Sequence, residues 1–84
     1  MDAIETRVAV ITIIVEDTRA TETINSLLHD ARDYIIGRMG IPYKERGISL
    51  ISVALDAEPD VISSLTGRLG QIQGVSVKAA ISKK

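Results

Sequence analysis

Hydrophobic positions along this chain follow two different periods, and the first segment has the period of a β-strand. Residues Arg7–Val15 are rich in β-branched side chains, which favour an extended backbone. Both faces of the segment are apolar, with Ala9, Ile11, Ile13 and Val15 on one and Val8, Val10 and Ile14 on the other. A strand with one solvated face would alternate with polar residues, so we expect a central strand with both faces at least partly covered.

The spacing then changes to that of an α-helix. One apolar stripe recurs at helical intervals and consists of Ala20, Ile24, Leu27, Leu28 and Ala31. The side-chain oxygen of Asp17 or Thr18 can accept hydrogen bonds from the free amides of the first turn, so either residue can cap this helix. The sequence therefore predicts a helix that begins shortly after the first strand.

A second helix is predicted to open at Glu58-Pro59-Asp60, because proline suits the first helical position. Its buried stripe consists of Val61, Ile62, Leu65 and Leu69. We expect Gly70 to end the helix in a left-handed conformation. Gly67 lies inside the helix, where glycine costs about 1 kcal/mol relative to alanine, so we expect a compensating close approach to a strand or to another subunit.

Three further segments are predicted as strands: Tyr34–Met39, Ile48–Leu55 and Val75–Ile81. Gly37 interrupts the first of them, the run Gly40-Ile41-Pro42 is expected to break it, and 43–47 is a polar connection within a hairpin. The order β-α-β-β-α-β predicts an α+β, ferredoxin-like fold, in which a four-stranded antiparallel sheet carries two helices on one face. We expect residues 1–84 to form one domain.

Two helices cover only one face of such a sheet, yet the inner strands are apolar on both. The uncovered patch is predicted to contain Val8, Val10, Ile14, Ile48 and Leu50, or else their neighbours on the opposite face. Because a domain of 84 residues buries a limited core, we expect this patch to join copies of the chain into a dimer or tetramer. The alternative is that these residues are scattered surface aliphatics.

Composition removes several classes of function. The chain has no cysteine, two tyrosines as its aromatic residues and a formal net charge of −1. We therefore expect no thiolate metal site, no cofactor, no direct nucleic-acid binding and no enzymatic activity. The longest apolar run, 8–15, is shorter than a membrane span, and the opening residues are too acidic for a signal peptide, so we expect a cytoplasmic protein that does not bind membranes.

The best candidates for a ligand site are two turns. Glu16, Asp17, Thr18 and Arg19 precede the first helix, where free amides can meet a small effector, although capping alone also explains these residues. Gly40 and Pro42 belong to the second predicted turn. His29, the sole histidine, is interpreted as an ordinary helix residue. The acidic residues from Asp56 onward fail the calcium-loop pattern, because Val61 and Gly67 occupy its glycine and glutamate positions.

Several of these residues together resemble a known family, the iron-only (FeFe) hydrogenase system regulators, also labelled CopG-like regulators. The resemblance covers nearly the whole chain. It is carried by Ile14-Val15-Glu16-Asp17, by Asn25, Leu27, Leu28 and His29, by Ile35, Arg38, Gly40 and Pro42, and by Leu65, Gly67, Leu69-Gly70-Gln71-Ile72, Gly74-Val75, Val77 and Lys78.

This resemblance implies an ACT-like domain, related to the regulatory domains of amino-acid-responsive proteins and to the nickel-binding domain of a nickel repressor. Such domains usually oligomerise. For the family itself, the resemblance implies a role in hydrogenase maturation or expression, with no catalytic residues to carry over. The nickel repressor binds metal through several histidines and a cysteine, so a chain with one histidine and no cysteine is not expected to sense nickel. The alternative function is a structural adaptor that docks on another protein.

Overall fold

Strands and helices alternate along the chain in the order that the hydrophobic spacing predicts. A computed structural model describes residues 5–84. The elements are β1 (Arg7–Val15), α1 (Thr21–Asp30), β2 (Ile35–Tyr43), β3 (Ile48–Ala57), α2 (Pro59–Gly70) and β4 (Val75–Ile81). Single 3-10 turns cover Thr18–Ala20, Arg32–Tyr34 and Lys44–Arg46. No helix within residues 5–84 is long and apolar enough to span a membrane.

The four strands form one sheet in the order β2-β3-β1-β4, and every neighbouring pair is antiparallel. The prediction that β1 is a central strand is confirmed. Its odd-numbered residues from Ala9 to Val15 are buried, whereas its even-numbered residues from Val8 to Ile14 are exposed on the opposite face. The core lies between the sheet and the helices, and it contains Ala9, Ile11, Ile13, Val15, Ala20, Ile24, Leu28, Ala31, Ile51, Val53, Leu55, Ala57, Ile62, Leu65 and Leu69. The predicted ferredoxin-like α+β fold is therefore confirmed.

Strand β2 is longer than the sequence predicts. The expected break at Gly40-Ile41-Pro42 is wrong, because all three residues pair with β3, and the last of them lies opposite Ser49. The physical reason is the position of β2 at the edge of the sheet, where a proline that lacks an N–H costs no ladder hydrogen bond if it faces outward. The predicted interruption at Gly37 is confirmed as a shift of register between Ile35 and Gly37.

The hairpin between β2 and β3 is confirmed. Its turn uses Gly47 in the left-handed region, at φ 66°, directly after the 3-10 turn Lys44–Arg46. The amide of Gly47 donates a hydrogen bond of 3.1 Å to the carbonyl oxygen of Lys44. A glycine therefore closes this hairpin, although no Asn-Gly or Asp-Gly pair announces it.

Helix α2 begins as predicted, with Pro59 in its first turn, but the expectation that Gly70 ends it in a left-handed conformation is wrong. Gly70 is the last helical residue but has no positive φ, and the left-handed glycine of this connection is Gly74. At Gly67 an added Cβ would meet no atom of residues 5–84 within 4 Å, so none of the described strands approaches it, and the approach of another subunit stays a prediction. Gly67 lies in the middle of the helix but on its solvent-exposed side, so no packing contact replaces the missing side chain.

Candidate functional site

The corner between β1 and α1 is organised by an aspartate. Asp17 has an extended backbone, and its Oδ1 accepts a hydrogen bond of 2.9 Å from the amide of Arg19. Of the two predicted caps, Asp17 therefore caps the 3-10 turn that leads into α1, whereas α1 itself begins after Ala20 without a side-chain cap. The Arg19 guanidinium also forms an ion pair with this carboxylate: Nη2 donates to Oδ2 at 2.8 Å, and Nε donates to Oδ1 at 3.1 Å.

Gly74 completes this corner from the other half of the chain. Its carbonyl oxygen accepts a hydrogen bond of 2.7 Å from the amide of Glu16. Gly74 has φ 80°, and a Cβ added to it would lie 2.6 Å from the Cβ of Asp17. The end of β1 and the connection from α2 to β4 are therefore held in direct contact, and glycine meets both requirements of this position.

The charges of the corner compensate each other. Hydrogen bonds from the Arg19 side chain and amide lower the pKa of the Asp17 carboxyl, and the carboxylate in turn raises the pKa of Arg19. The Asp17 side chain is 26% exposed and that of Arg19 is 87% exposed. Because the guanidinium is anchored at one edge and open to solvent elsewhere, donors on Arg19 remain available to a ligand.

A concavity of about 290 Å³ opens beside this ion pair. Its lining combines both charged residues with the start of α1 and the connection that follows α2: Asp17, Arg19, Ala20, Thr23, Ile72 and Gln73. Of the predicted effector residues, Asp17 and Arg19 line it directly, while Glu16 and Thr18 are their exposed neighbours along the chain. We call the concavity and its lining the Asp17 corner.

Gly40 and Pro42 do not line the Asp17 corner. They lie on β2, and β3 separates β2 from β1. Pro42 and Val15 share one cross-strand row, with Ser49 of β3 between them. Two strand spacings amount to roughly 10 Å, so the two predicted turns are not brought together. Whether any of these six residues binds an effector stays a prediction.

A second groove, also of about 290 Å³, runs between α1 and α2. Asp30, Asp60 and Arg68 are among the residues that line it. Two of its apolar lining residues are already almost fully buried, since Ala31 is 8% exposed and Leu65 is 6% exposed. Tyr34, which also lines the groove, is 41% exposed, so the groove keeps some apolar surface beside these buried residues.

The face of the sheet away from the helices is largely apolar, and we call it the open face. Cross-strand pairing places Ile41, Leu50, Ile14 and Ser76 in one row across the four strands. The next row consists of Met39, Ser52, Thr12 and Lys78, and a third contains Gly37, Ala54, Val10 and Ala80. The predicted residues Val8, Val10, Ile14 and Leu50 are 38–43% exposed there, and Ile48 is half-buried on the same face.

Sequence reasoning missed three large side chains of the open face. Met39, Ile41 and Tyr43 on β2 are 58%, 47% and 45% exposed. They were missed because the intervening glycine and proline favour a turn, although their spacing of two residues is the signal of a strand face. Gly74 was missed for a different reason, since its role depends on contact with a distant part of the chain.

No three histidine, aspartate or glutamate side chains within residues 5–84 are grouped so that they could hold a metal ion. His29 is exposed on α1. What the described residues offer is thus a polar corner with one ion pair and an exposed apolar sheet face.

Sheet order and helix placement define the chain as an α+β protein of the ferredoxin-like class. Residues 7–79 match the family model described as "TM1266-like: Iron-only hydrogenase system regulator, putative". The chain belongs to this family, which confirms the resemblance carried by the sequence motifs.

Solved structures agree with this assignment. The uncharacterized protein TM1266 from Thermotoga maritima is 38% identical, has a TM-score of 0.90, and matches over 94% of this chain and 100% of its own. The C-terminal domain of the MgtC protein from Mycobacterium tuberculosis has a TM-score of 0.73 at 12% identity, with 99% of this chain and 95% of that chain covered.

A formyltetrahydrofolate deformylase from Pseudomonas putida KT2440 has a TM-score of 0.62 at 16% identity, over 87% of this chain and 28% of that chain. At such identities, the MgtC domain and the deformylase share the fold alone. Comparison with curated proteins found no match.

Proposed function

We propose that this chain is a non-catalytic, cytoplasmic regulatory module of an iron-only hydrogenase system, which self-associates through its open face and binds a small effector at the Asp17 corner. Membership of the regulator family over residues 7–79 supports the regulatory role. The observation that carries the self-association is the set of exposed apolar side chains on the open face. Exposed apolar side chains that cluster on one face of a domain are typical of an association surface.

The Asp17 corner suits a small ligand that carries both charges. Arg19 can direct its free donors to an anionic group, and the Asp17 carboxylate can accept from a cationic one. Glu16 adds negative charge beside the corner, which disfavours a purely anionic ligand such as phosphate. The preferred effector class is therefore a zwitterion, with amino acids as the first compounds to test.

The effector is tested by melting the protein in the presence of amino acids, nucleotides and metal ions. A ligand that binds the native state raises the melting temperature, by an amount that grows with its concentration. We expect an amino acid to stabilise the wild type and the control variant Arg32→Ala, because Arg32 donates to the carbonyl oxygen of His29 at the opposite end of α1. Arg19→Ala should abolish the shift. No shift at millimolar ligand would contradict the effector role.

Self-association is tested separately, by light scattering on size-exclusion fractions over a dilution series. We expect a dimer or a tetramer that dissociates on dilution. A monomer at every concentration would contradict self-association while leaving the effector experiment intact.

The second candidate function is a structural adaptor, in which a different protein covers the same exposed side chains of the open face. A monomeric wild type that captures one stoichiometric partner from an anaerobe lysate would favour this adaptor. Loss of capture on Ile41→Ser, with retention on the control Thr66→Ser on α2, would assign the partner to the open face.

A further inference from the structure

Strand β4 lies at an edge of the sheet, and its outer side offers a row of backbone groups for pairing. The amide of Ser82 donates to the carbonyl oxygen of Val8 at 2.8 Å. At the other end of the strand, the amide of Glu16 donates to the carbonyl oxygen of Gly74 at 2.7 Å. Bonded pairs alternate along an antiparallel ladder, so the even-numbered residues of β4 bond to β1. The amides and carbonyls of its odd-numbered residues therefore point outward, where no strand of residues 5–84 lies.

The two edges of the sheet differ in how they resist pairing with another strand. On β2, the register shifts after Ile35 and Pro42 lies within the strand, and both features interrupt the ladder that an added strand needs. Strand β4 pairs with β1 without a shift and contains neither proline nor glycine. Lys78 is the one charged residue of β4, and it lies on the open face. Strand β4 is therefore the edge that can accept a further strand.

The helices leave the last part of β4 uncovered. Ala79 and Ile81 lie on the helix side of the sheet, since both pair with buried residues of β1. Ala79 is nevertheless exposed, and Ile81 is 49% exposed. Helix α2 turns one side toward α1 and its buried side toward the sheet, so Ser63, Thr66 and Gly70 lie on the remaining side. These small residues leave room beside α2 for an apolar side chain.

Antiparallel pairing of β4 with β4 of a second copy has one register that covers Ile81 and brings no like charges directly opposite each other. Placing Ala79 opposite Ala79 of the second copy sets Val77 opposite Ile81. Lys78 then lies opposite Ala80 of the second copy. Each Ile81 is covered by the half-buried Val77 of the other copy, next to the small side of α2. Moving the axis by one residue would instead oppose Lys78 to Lys78, which is unfavourable.

Charges at the two ends of β4 complement each other in this pairing. At its start, Gly74 lies beside the acidic Glu16, and after its end the chain continues into Lys83 and Lys84. The same register sets Lys84 opposite Gly74 of the second copy. Two strand spacings, roughly 10 Å, then separate the backbones of Lys84 and Glu16, a gap that the two long side chains can close. This complementarity favours a second copy over an unrelated strand.

We propose that β4 pairs antiparallel with β4 of a second copy, about a twofold axis at Ala79, so that the two sheets become continuous. The contact uses the same residues of both copies, as a twofold axis requires. Backbone hydrogen bonds supply most of its affinity, as they do when a strand is added to a sheet edge. It uses a different surface from the open face, so either contact can form without the other.

Cysteine crosslinking tests the axis directly, because the chain has no cysteine of its own. With Ala79→Cys, the two substituted residues face each other with Cα atoms about 5.5 Å apart, within the range that a disulfide spans. The matched control is Ile81→Cys, on the same side of the same strand. Its two copies lie on opposite sides of the axis, roughly 13 Å apart along the strands, so they are too far apart to form a disulfide.

We expect Ala79→Cys to form the intermolecular disulfide at least about tenfold faster than Ile81→Cys, because paired strands hold the axial thiols at a high effective concentration. Non-reducing electrophoresis follows the crosslinked dimer during mild oxidation. Circular dichroism verifies that both variants are folded.

The other outcomes would overturn the proposal. Equal rates for the two variants would indicate random collision, and faster crosslinking of Ile81→Cys would place the axis nearer the end of β4. Association through the open face alone would leave both variants slow to oxidise, because Ala79 and Ile81 lie on the helix side of the sheet. That result, with a dimeric wild type, would reject the β4 contact and leave the open-face contact standing.

Discussion

Gly74 lies so close to Asp17 that a Cβ on the glycine would stand 2.6 Å from the Cβ of the aspartate. This contact joins the entrance of α1 to the connection before β4. The neighbouring hydrogen bond from the Glu16 amide to the Gly74 carbonyl oxygen reinforces it. The shape of the Asp17 corner therefore depends on residues that are far apart in sequence.

Substitution of this glycine tests the contact. Gly74→Ala should lower the free energy of unfolding by about 1–3 kcal/mol, because it combines a left-handed backbone with a steric clash. Gly47→Ala is the matched control: Gly47 also has a positive φ, but an added Cβ there would meet no atom within 4 Å. Urea denaturation should show the smaller loss for Gly47→Ala. Equal losses would mean that the packing against Asp17 contributes nothing.

Gly67→Ala should stabilise the protein by about 0.5–1 kcal/mol, because alanine restricts the unfolded chain and suits a helix interior. The space around Gly67 is open within the described chain, so the methyl group meets no obstacle. Thermal or urea melting measures the gain. A loss of stability accompanied by a smaller native mass would instead support the approach of another subunit at this glycine.

Acidification should weaken the Asp17 corner. Because its pKa is lowered in the folded state, Asp17 stabilises the fold above the unfolded aspartate pKa of about 3.9, and this contribution is lost as the pH falls through the folded pKa. Asp17→Asn keeps a capping oxygen and removes the charge. We expect its melting temperature to lie below that of the wild type at pH 7 and to converge with it below about pH 4.

Salt provides the control for that prediction, since an exposed ion pair is screened at high ionic strength. The difference between the wild type and Asp17→Asn at pH 7 should shrink in about 1 M NaCl. A difference that is independent of both pH and salt would assign the effect to the cap and not to the pairing with Arg19.

Ile13 and Ile14 are adjacent on β1 and face opposite sides of the sheet, with 0% and 38% of their surface exposed. Ile13→Ala should cost about 2–5 kcal/mol of unfolding free energy, whatever the protein concentration, because it leaves a cavity in the core. Ile14→Ala should act mainly on association, so its effect on melting should grow with protein concentration. Calorimetry over a concentration series distinguishes the two, and similar concentration dependence would argue against an interface at Ile14.

The boundary of β2 illustrates where local signals mislead. Gly40 and Pro42 favour a turn when the chain is considered alone, yet both residues pair with β3. An edge strand tolerates a proline and a glycine, and β2 lies at the edge of the sheet. Which strand lies at the edge is decided by the whole sheet and not by local sequence. Because β2 continues through these residues, Ile41 and Tyr43 also lie on the open face with exposed side chains. The sequence analysis did not include them in the association patch.

The glycines at and after the end of α2 also separate what local sequence predicts from what it does not. The end of α2 at Gly70 was predictable from the pattern of apolar residues and the glycine itself. That Gly74 and not Gly70 adopts the left-handed conformation was not predictable, because the contact with Asp17 lies more than 50 residues away along the chain.

The sequence by itself determined the order of strands and helices, the central place of β1 and the presence of capping residues at Asp17 and Thr18, because side-chain period, β-branching and capping act over a few residues. Tertiary structure decided the length of β2, the assembly of the Asp17 corner and the rows of the open face. Those features depend on register and strand order, which bring together residues that no local interaction relates.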